Sequence, residues 1–256
     1  MTRLLGTLLT LHFSLHLAAV SQAALIAHYT FDTDGTASVG ADATLGAAAS
    51  IDNTDFAVGT GALALSGAPT SDTPGADGAV SGDVFDWSTS DTRTVAFWMK
   101  ASAGDVGDSG STMISLGSGT SAGNRFDVRL SGDALRLEVQ AGGTTTSNVV
   151  ADGHWHHIAL VVTDPATVSN VEYYIDGVSQ GTFGGSGTAI ATGVGPLRIG
   201  DSYQDVSRDF KGLVDDVRLY DTALNSEQIG TLIPEPNAIA LIGLACGVAG
   251  LVRRKK

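Results

Sequence analysis

Short runs of β-forming residues, separated by clusters of Gly, Ser, Thr and Asp, recur along most of this chain. Thr94–Lys100 is the strongest run, because β-branched and aromatic residues fill it. No stretch has the long 3.6-residue period of an amphipathic helix. The runs are Leu25–Phe31, Ala62–Leu65, Thr94–Lys100, Met113–Leu116, Phe126–Leu130, Leu135–Gln140, His156–Thr163, Val171–Ile175, Gly181–Phe183, Pro196–Gly200 and Phe210–Tyr220. The pattern predicts an all-β sandwich of two packed antiparallel sheets.

Turn and cap signals refine this prediction. Gly132-Asp133 and Asp176-Gly177 are typical of tight hairpin turns. One short helix is expected over Glu227–Leu232, with Asn225 or Ser226 as its cap. Three stretches rich in small and polar residues are expected to be surface loops at the ends of the sandwich, where binding sites usually lie. These stretches are Asp32–Thr60, Pro69–Asp86 and Ala101–Ser111.

The N-terminal segment has the three parts of a secretory signal peptide. Arg3 supplies a positive start, Leu4–Val20 is apolar, and Ser21-Gln22-Ala23 is a small-x-small cleavage site. We therefore expect residues 1–23 to be removed by signal peptidase during export.

The C-terminal segment 234–256 combines a breaker, an apolar run and a basic end. Pro234, Glu235 and Pro236 are followed by the uncharged residues 237–252, and then by Arg253, Arg254 and two lysines. This order resembles the PEP-CTERM sorting signal of Gram-negative bacteria. The resemblance implies transient anchoring in the inner membrane, cutting by an exosortase, and delivery to the envelope, the surface or the extracellular matrix. An ordinary C-terminal anchor is the alternative.

The charge of the part between these ends limits its partners. The whole chain has a formal net charge of −13, and residues 24–233 alone carry 9 basic and 26 acidic residues. Such a surface repels nucleic acid and anionic membranes, and it suits Ca²⁺, which prefers oxygen ligands. The only cysteine, Cys246, lies in the tail, so residues 24–233 contain no disulfide. Most of the aspartates also fit ordinary turn chemistry.

A series of short motifs is distributed in order over residues 24–232. They are His28-Tyr29-Thr30-Phe31-Asp32, Gly61–Gly67, Val95–Lys100, Ile114–Gly117, Gly153–Ala159, Tyr174–Gly177, Leu197–Gly200 and Phe210–Tyr220 with Ala223-Leu224 after it. Their order and spacing resemble the laminin-G-like, concanavalin A-like jelly-roll domain of secreted bacterial proteins. The resemblance implies one domain over residues 24–233, often with one structural Ca²⁺, that binds glycans or proteins.

The resemblance also indicates two calcium ligands. Asp32 ends the first strand and Asp215 lies in the last, and these strands are neighbours in jelly rolls of this type. Two carboxylates with nearby carbonyl oxygens would form a calcium shell. The loop after Asp32 departs from the usual Asp-x-Ser-Gly-Asn pattern. The alternative is that Asp215 caps loop amides with no metal present.

Aromatic and histidine residues supply further candidates. Trp87 follows an acidic loop, where an exposed indole would stack on a sugar ring. The alternative is that Trp87 packs under its own loop. His154, His156 and His157 surround Trp155, but on one strand they point to opposite faces, which favours packing over metal binding.

The sequence lacks the usual catalytic patterns. The Glu-x-Asp-x-x-Glu motif of related glycoside hydrolases is absent, and so are a Gly-x-Ser-x-Gly elbow and a cysteine nucleophile in residues 24–233. We therefore predict a non-catalytic module for carbohydrate or protein adhesion at the cell surface or in the matrix. A structural matrix component and, less favoured, a glycoside hydrolase-like enzyme are the alternatives.

Overall fold

The computed structural model describes residues 23–67, 77–107, 110–203 and 207–234. Within these ranges the chain forms sixteen β-strands and one short α-helix. The strands are β1 Leu25–Tyr29, β2 Ala37–Val39, β3 Ala43–Leu45, β4 Ala49–Asp52, β5 Ala62–Ser66, β6 Ala79–Phe85, β7 Arg93–Ser102, β8 Ser111–Gly117, β9 Arg125–Ser131, β10 Ala134–Val139, β11 Gly142–Val149, β12 Asp152–Val162, β13 Val171–Ile175, β14 Val178–Gly181, β15 Gly195–Ile199 and β16 Lys211–Tyr220, and the helix is α1 Ser226–Gly230.

The described strands form two antiparallel sheets. The nine-stranded sheet has the order β14-β13-β12-β7-β16-β1-β2, with β5 also beside β16 and β4 beside β5. The seven-stranded sheet has the order β11-β10-β9-β8-β15-β6-β3. This architecture confirms the predicted all-β, jelly-roll-like sandwich.

The core lies between the sheets and follows the two-residue period of the strands. Val95, Phe97 and Met99 of β7 are fully buried, and they belong to one apolar cluster with Phe126 and Val128 of β9. Successive side chains on a strand point to opposite faces of the sheet. Alternate residues of each strand therefore fill the space between the sheets, and the residues between them face outward.

Strand β12 is buried on both faces, as its apolar run predicts. Ile158 and Leu160 enter the main core, whereas Ala159 lies in a second apolar cluster with Ile229 of α1. Helix α1 is capped by Asn225, whose side chain accepts a hydrogen bond from the Gln228 amide. The capping box therefore fixes a short helix over the outer face of the nine-stranded sheet.

Two stretches expected to be loops contain strands. Residues 32–60 include β2, β3 and β4, and residues 69–86 include β6. The short strands β2–β4 are rich in Ala, Ser and Thr, so they lack the apolar alternation that marks a strand in sequence. Backbone pairing with β1, β6 and β5 defines them instead.

The nine-stranded sheet forks at strand β16, which pairs with β7 on one side and with both β5 and β1 on the other. Its first half, Lys211–Val214, pairs with β5, and its second half pairs with β1 through Val217–Tyr220. Between the halves the register against β7 shifts, and Asp216 has a φ of 49°. This bulge separates β1 from β5 and places Asp215 at the fork.

Several predicted features of the chain ends lie outside the described residues. These are residues 1–22 of the expected signal peptide, Glu235, Pro236, the expected membrane segment 237–252, Arg253 and Arg254. Pro234 is the last described residue. In the ranges that the structure describes, there is no helix with the length and apolar character needed to cross a membrane.

Candidate functional site

Asp215 holds the loop between β4 and β5. Its carboxylate is fully buried, and Oδ2 accepts hydrogen bonds from the backbone amides of Ala57 and Val58, both at 2.9 Å. The other oxygen, Oδ1, is buried and has no hydrogen-bond donor. Burial raises the pKa of Asp215 to about 7, although the two amides oppose this rise.

Asp32 holds the same loop from the end of β1. Its Oδ1 accepts the backbone amide of Thr60 at 2.5 Å and the Thr60 hydroxyl at 3.1 Å. Gly59 has a φ of 72°, and a Cβ at this position would collide with the Asp32 carboxylate. The structure therefore brings the two predicted calcium ligands to one loop, 53–60, as the adjacency of the first and last strands predicts.

The donor set around this loop fits Ca²⁺ chemically. Ca²⁺ takes carboxylate and carbonyl oxygens, and the buried Oδ1 of Asp215 lacks any other partner. The hydrogen bonds of Asp32 to Thr60 use only Oδ1. However, both carboxylates also cap backbone amides, which is the metal-free alternative stated for Asp215 above. The geometry thus accommodates both roles.

A third carboxylate anchors the outer part of loop 53–60. Asp55 accepts hydrogen bonds from Lys100 Nζ at 2.7 Å and from the Trp155 indole at 2.8 Å. These bonds present the next residue, Phe56, to solvent with 38% of its surface exposed. Among the described Phe, Trp and Tyr side chains, Phe56 is the only one in the exposed class. The sequence patterns did not single it out.

A polar cleft of about 280 Å³ adjoins this loop. It is lined by residues 30, 32–34 and 36–38, which contribute Thr and Ser hydroxyls and Asp carboxylates. Asp32 belongs to both the cleft and the anchor of loop 53–60. We call the cleft and loop 53–60 together the rim site. The cleft supplies hydrogen-bonding groups, and loop 53–60 supplies one exposed aromatic ring.

A serine, a histidine and an aspartate are connected at the edge of the cleft. Ser38 Oγ lies 2.6 Å from His28 Nδ1, and His28 Nε2 lies 2.6 Å from Asp216 Oδ1. The order of groups is that of serine hydrolases, but the ring nitrogens are exchanged, because in those enzymes the serine contacts Nε2 and the aspartate contacts Nδ1. Arg218 also donates to Asp216 at 3.0 Å, so the carboxylate charge is shared with a guanidinium. This group was not predicted, because its members come from three strands that are separated in sequence, β1, β2 and β16.

Trp87 does not provide the exposed indole expected for sugar stacking. It is 8% exposed and belongs to the main core. The Phe85 ring stacks on it at 5.4 Å between centroids, and the Arg93 guanidinium lies 5.1 Å from its ring centre. The structure therefore agrees with the alternative, in which Trp87 packs under its own loop.

The histidines around Trp155 have structural partners. His156 contacts Asp176 at 2.8 Å and Asp152 at 3.2 Å, whereas His157 is buried against the edge of Trp98. Burial lowers the pKa of His157 to about 4. His154 and His156 share Asp152 as a partner, and His157 packs on the other face of the strand, as the alternation of side chains predicts.

Two buried carboxylates face each other on the outer side of the seven-stranded sheet. Asp127 of β9 pairs in register with Glu138 of β10. Burial raises the pKa of Asp127 to about 6. Burial also acts to raise that of Glu138, but hydrogen bonds from Arg208 and Arg129 outweigh it and lower the pKa to about 2. Divergent pKa values mark acid–base pairs in enzymes. Here Asp127 is fully buried, and Glu138 forms ion pairs with Arg125 and Arg129.

Several solved structures share this fold. One is domain 4 of AbnA, a GH43 extracellular arabinanase from Geobacillus stearothermophilus, in complex with arabinotriose; the TM-score is 0.58 at 20% identity, over 83% of this chain and 99% of that one. Another is the botulinum neurotoxin type G receptor binding domain, with a TM-score of 0.55 at 13% identity, over 81% of this chain and 50% of that one. Trypanosoma rangeli sialidase matches with a TM-score of 0.55 at 16% identity, over 81% and 32%. At these identities the likeness concerns the fold alone.

Sequence comparison finds a partial match to one protein and a match to one protein family. The chain is 37% identical over 93 residues to adhesion G-protein coupled receptor V1 of Danio rerio, which is 36% of this chain but 1% of the receptor. Residues 73–230, more than half of the chain, match the Laminin_G_3 family. The chain therefore belongs to Laminin_G_3, in the concanavalin A-like lectin/glucanases superfamily.

Proposed function

We propose that this protein is an exported, non-catalytic binding module that holds an extracellular glycan through its rim site. A single observation carries the proposal: an exposed aromatic ring, Phe56, lies on a loop fixed by three carboxylates beside a polar cleft. Sugars bind through hydrogen bonds to polar side chains and through contact of their apolar faces with aromatic rings. A matrix protein with exposed hydroxyl or amide groups is the second candidate ligand.

The fixed loop favours binding because it lowers the cost of ordering the site. Asp215 and Asp32 accept hydrogen bonds from backbone amides of the loop, and Asp55 accepts one from Lys100, all without a ligand. A preorganised loop loses less conformational entropy on binding than a mobile one. The solved AbnA domain 4 was obtained with arabinotriose, which supports a glycan as the ligand class to test first.

We propose that one structural Ca²⁺ supports this loop. Asp215 Oδ1 and Asp32 would supply its carboxylate ligands. The ion would neutralise a carboxylate that burial otherwise disfavours in its charged form. Its role in this proposal is to stiffen loop 53–60, because Asp215 already binds two amides of that loop.

Two groups of residues resemble catalytic sites, and the surroundings of both support the non-catalytic assignment. Asp127 is fully buried, and Glu138 is enclosed by arginine side chains. Ser38 is exposed, but its histidine depends on a carboxylate shared with Arg218. A hydrolase built on the carboxylate pair would require an open substrate path to it.

We further propose that residues 1–23 direct export through signal peptidase and that residues 234–256 act as a PEP-CTERM signal. The three-part patterns of both segments support this proposal. It places the module transiently at the inner membrane of a Gram-negative bacterium and finally at its surface or in its matrix. Fractionating cells that express the full chain and a chain lacking residues 234–256 tests it. We expect loss of surface or matrix delivery in the shortened chain, and unchanged delivery would contradict the proposed signal.

The experiment that tests the binding function is a polysaccharide panel with the purified full chain, in millimolar Ca²⁺ and in EDTA. We expect saturable binding to at least one glycan, weakened in EDTA. A reducing-sugar assay on the same samples tests for hydrolysis, with Ser38→Ala as its control. Sugar release that Ser38→Ala abolishes would replace the binding proposal with an enzymatic one. Absence of saturable binding to any glycan would favour the structural matrix role.

A further inference from the structure

Three buried or nearly buried aspartates meet outside the rim site. Oxygens from Asp77, Asp201 and Asp209 all lie within 4.8 Å of one another. Their exposed fractions are 3%, 1% and 9%. Asp77 precedes β6, and the other two aspartates lie between β15 and β16, so none of the three belongs to the cleft or to loop 53–60.

The backbone around the three aspartates is already fixed. The Asp77 amide donates to Asp201 Oδ2 at 3.0 Å, and the Asp77 carbonyl accepts from the Ala48 amide at 3.1 Å. Asp209 forms a bridge with Thr112 immediately before β16 begins. These contacts hold the described residues on either side of the cluster in place.

One oxygen in this cluster lacks a partner. Asp201 is almost fully buried, and its Oδ1 receives no hydrogen bond from the described residues. Arg198 interacts electrostatically with Asp201, but its guanidinium lies over the Tyr203 ring at 4.8 Å, and its Nη1 is also without an acceptor. Arg198 therefore compensates part of the charge without binding this oxygen. A buried carboxylate oxygen with no donor is costly unless a cation binds it.

We propose that Asp77, Asp201 and Asp209 form a second divalent cation site, suited to Ca²⁺. Ca²⁺ binds oxygens at 2.3–2.6 Å, so two ligands on opposite sides of the ion are separated by about 4.6–5.2 Å. Mg²⁺ binds at 2.0–2.1 Å, which gives about 4.0–4.2 Å. The upper limit of 4.8 Å on the separations in this cluster is compatible with Ca²⁺, and the all-carboxylate donor set suits it. The ion would clamp the two connections, and Asp209, the most exposed of the three, marks the entry path.

Calcium stoichiometry of the full-length protein, measured by isothermal titration, tests this proposal. We expect Asp201→Asn to bind one Ca²⁺ fewer per chain than the wild type, because the amide keeps the shape but removes the charge. Asp215→Asn is the matched control, since it removes only the ion proposed for the rim site. A wild type that binds one ion, lost in Asp201→Asn and kept in Asp215→Asn, would support this site and reject the rim ion.

A second measurement keeps the proposal testable if an Asp→Asn variant does not fold. Tb³⁺ replaces Ca²⁺ in oxygen sites, and Tyr203 is two residues from Asp201. We expect tyrosine-sensitised Tb³⁺ emission from the wild type that excess Ca²⁺ displaces and that Tyr203→Phe reduces at least twofold. Unchanged stoichiometry in Asp201→Asn and Asp209→Asn, or emission that Tyr203→Phe leaves intact, would overturn the proposal.

Discussion

At the scale of single residues, Asp215 connects the fold to the rim site. It lies at the bulge where β16 leaves β5 for β1, and its carboxylate binds two amides of loop 53–60. Its position in the last strand could be predicted from the sequence through the Phe210–Tyr220 motif. The loop that it holds could not be predicted, because nothing in residues 53–60 indicates which amides would reach a buried carboxylate.

The Asp215 contacts predict different outcomes for two substitutions. Asp215→Ala leaves the amides of Ala57 and Val58 without an acceptor, so we expect a loss of about 2–4 kcal/mol in the free energy of unfolding. Asp215→Asn keeps an acceptor and should cost about 1 kcal/mol or less in EDTA. Urea denaturation without Ca²⁺ measures both. Equal stability of the alanine variant and the wild type would show that these hydrogen bonds contribute nothing.

Phe56 and Trp87 show why exposure is hard to predict from sequence. Both aromatic residues lie in stretches rich in Gly, Ser, Thr and Asp, and both are near acidic residues. Trp87 is buried because Phe85 and Arg93 cover its ring. Phe56 is exposed beside Asp55, whose carboxylate is held by Lys100 and Trp155. These packing and hydrogen-bond contacts accompany the difference in exposure, and local composition does not contain them.

At the scale of elements, strands with apolar alternation were predictable and polar strands were not. The predicted runs of β-forming residues coincide with the observed strands β7, β9, β12 and β16. Asn225, which caps α1, is one of the two residues expected there. Strand β11, Gly142–Val149, was missed because it begins with two glycines and its polar residues give no apolar alternation. It is a strand because it pairs with β10 along its length, which is a tertiary effect.

The outer face of β9 and β10 carries a charged network that predicts acid sensitivity. Glu138 accepts from Arg125, Arg129, Arg136 and Arg208 at 2.5–3.1 Å. Its pKa is about 2 in the fold, below the ordinary value of 4.5. A carboxylate with a lowered pKa stabilises the fold above its ordinary pKa, and this contribution is lost as the pH falls from about 4.5 to about 2.

We therefore expect up to about 3 kcal/mol of wild-type stability to disappear between these pH values through Glu138. Glu138→Gln should be less stable at pH 7, and its stability difference from the wild type should shrink as the pH falls to 2. Glu172→Gln, on β13, is the control and should follow the wild type. Urea midpoints measured across this pH range give the result. A stability difference that does not change with pH would contradict the role of Glu138.

At the scale of the whole molecule, charge and topology both favour recognition at the rim. Residues 24–233 carry 26 acidic and 9 basic residues, which disfavours nucleic acid and anionic membranes as partners. Arg125, Arg129, Arg136 and Arg208 are engaged with Glu138 on one sheet face. The fork of β16 separates β1 from β5, and Asp215 at this fork binds loop 53–60. The site thus depends on topology, since residues 30–38 and 53–60 form it and a carboxylate of the last strand holds it.

The measurement that tests this account most directly is the affinity of Phe56→Ala for the glycan that the wild type binds best, in millimolar Ca²⁺. Val178→Ala is the matched control, because Val178 is also exposed and apolar but lies on β14. Loss of an aromatic contact worth about 1.4 kcal/mol would weaken binding about tenfold, and we expect at least this loss for Phe56→Ala. Val178→Ala should bind like the wild type. Equal affinities for all three proteins would contradict a binding site at this rim.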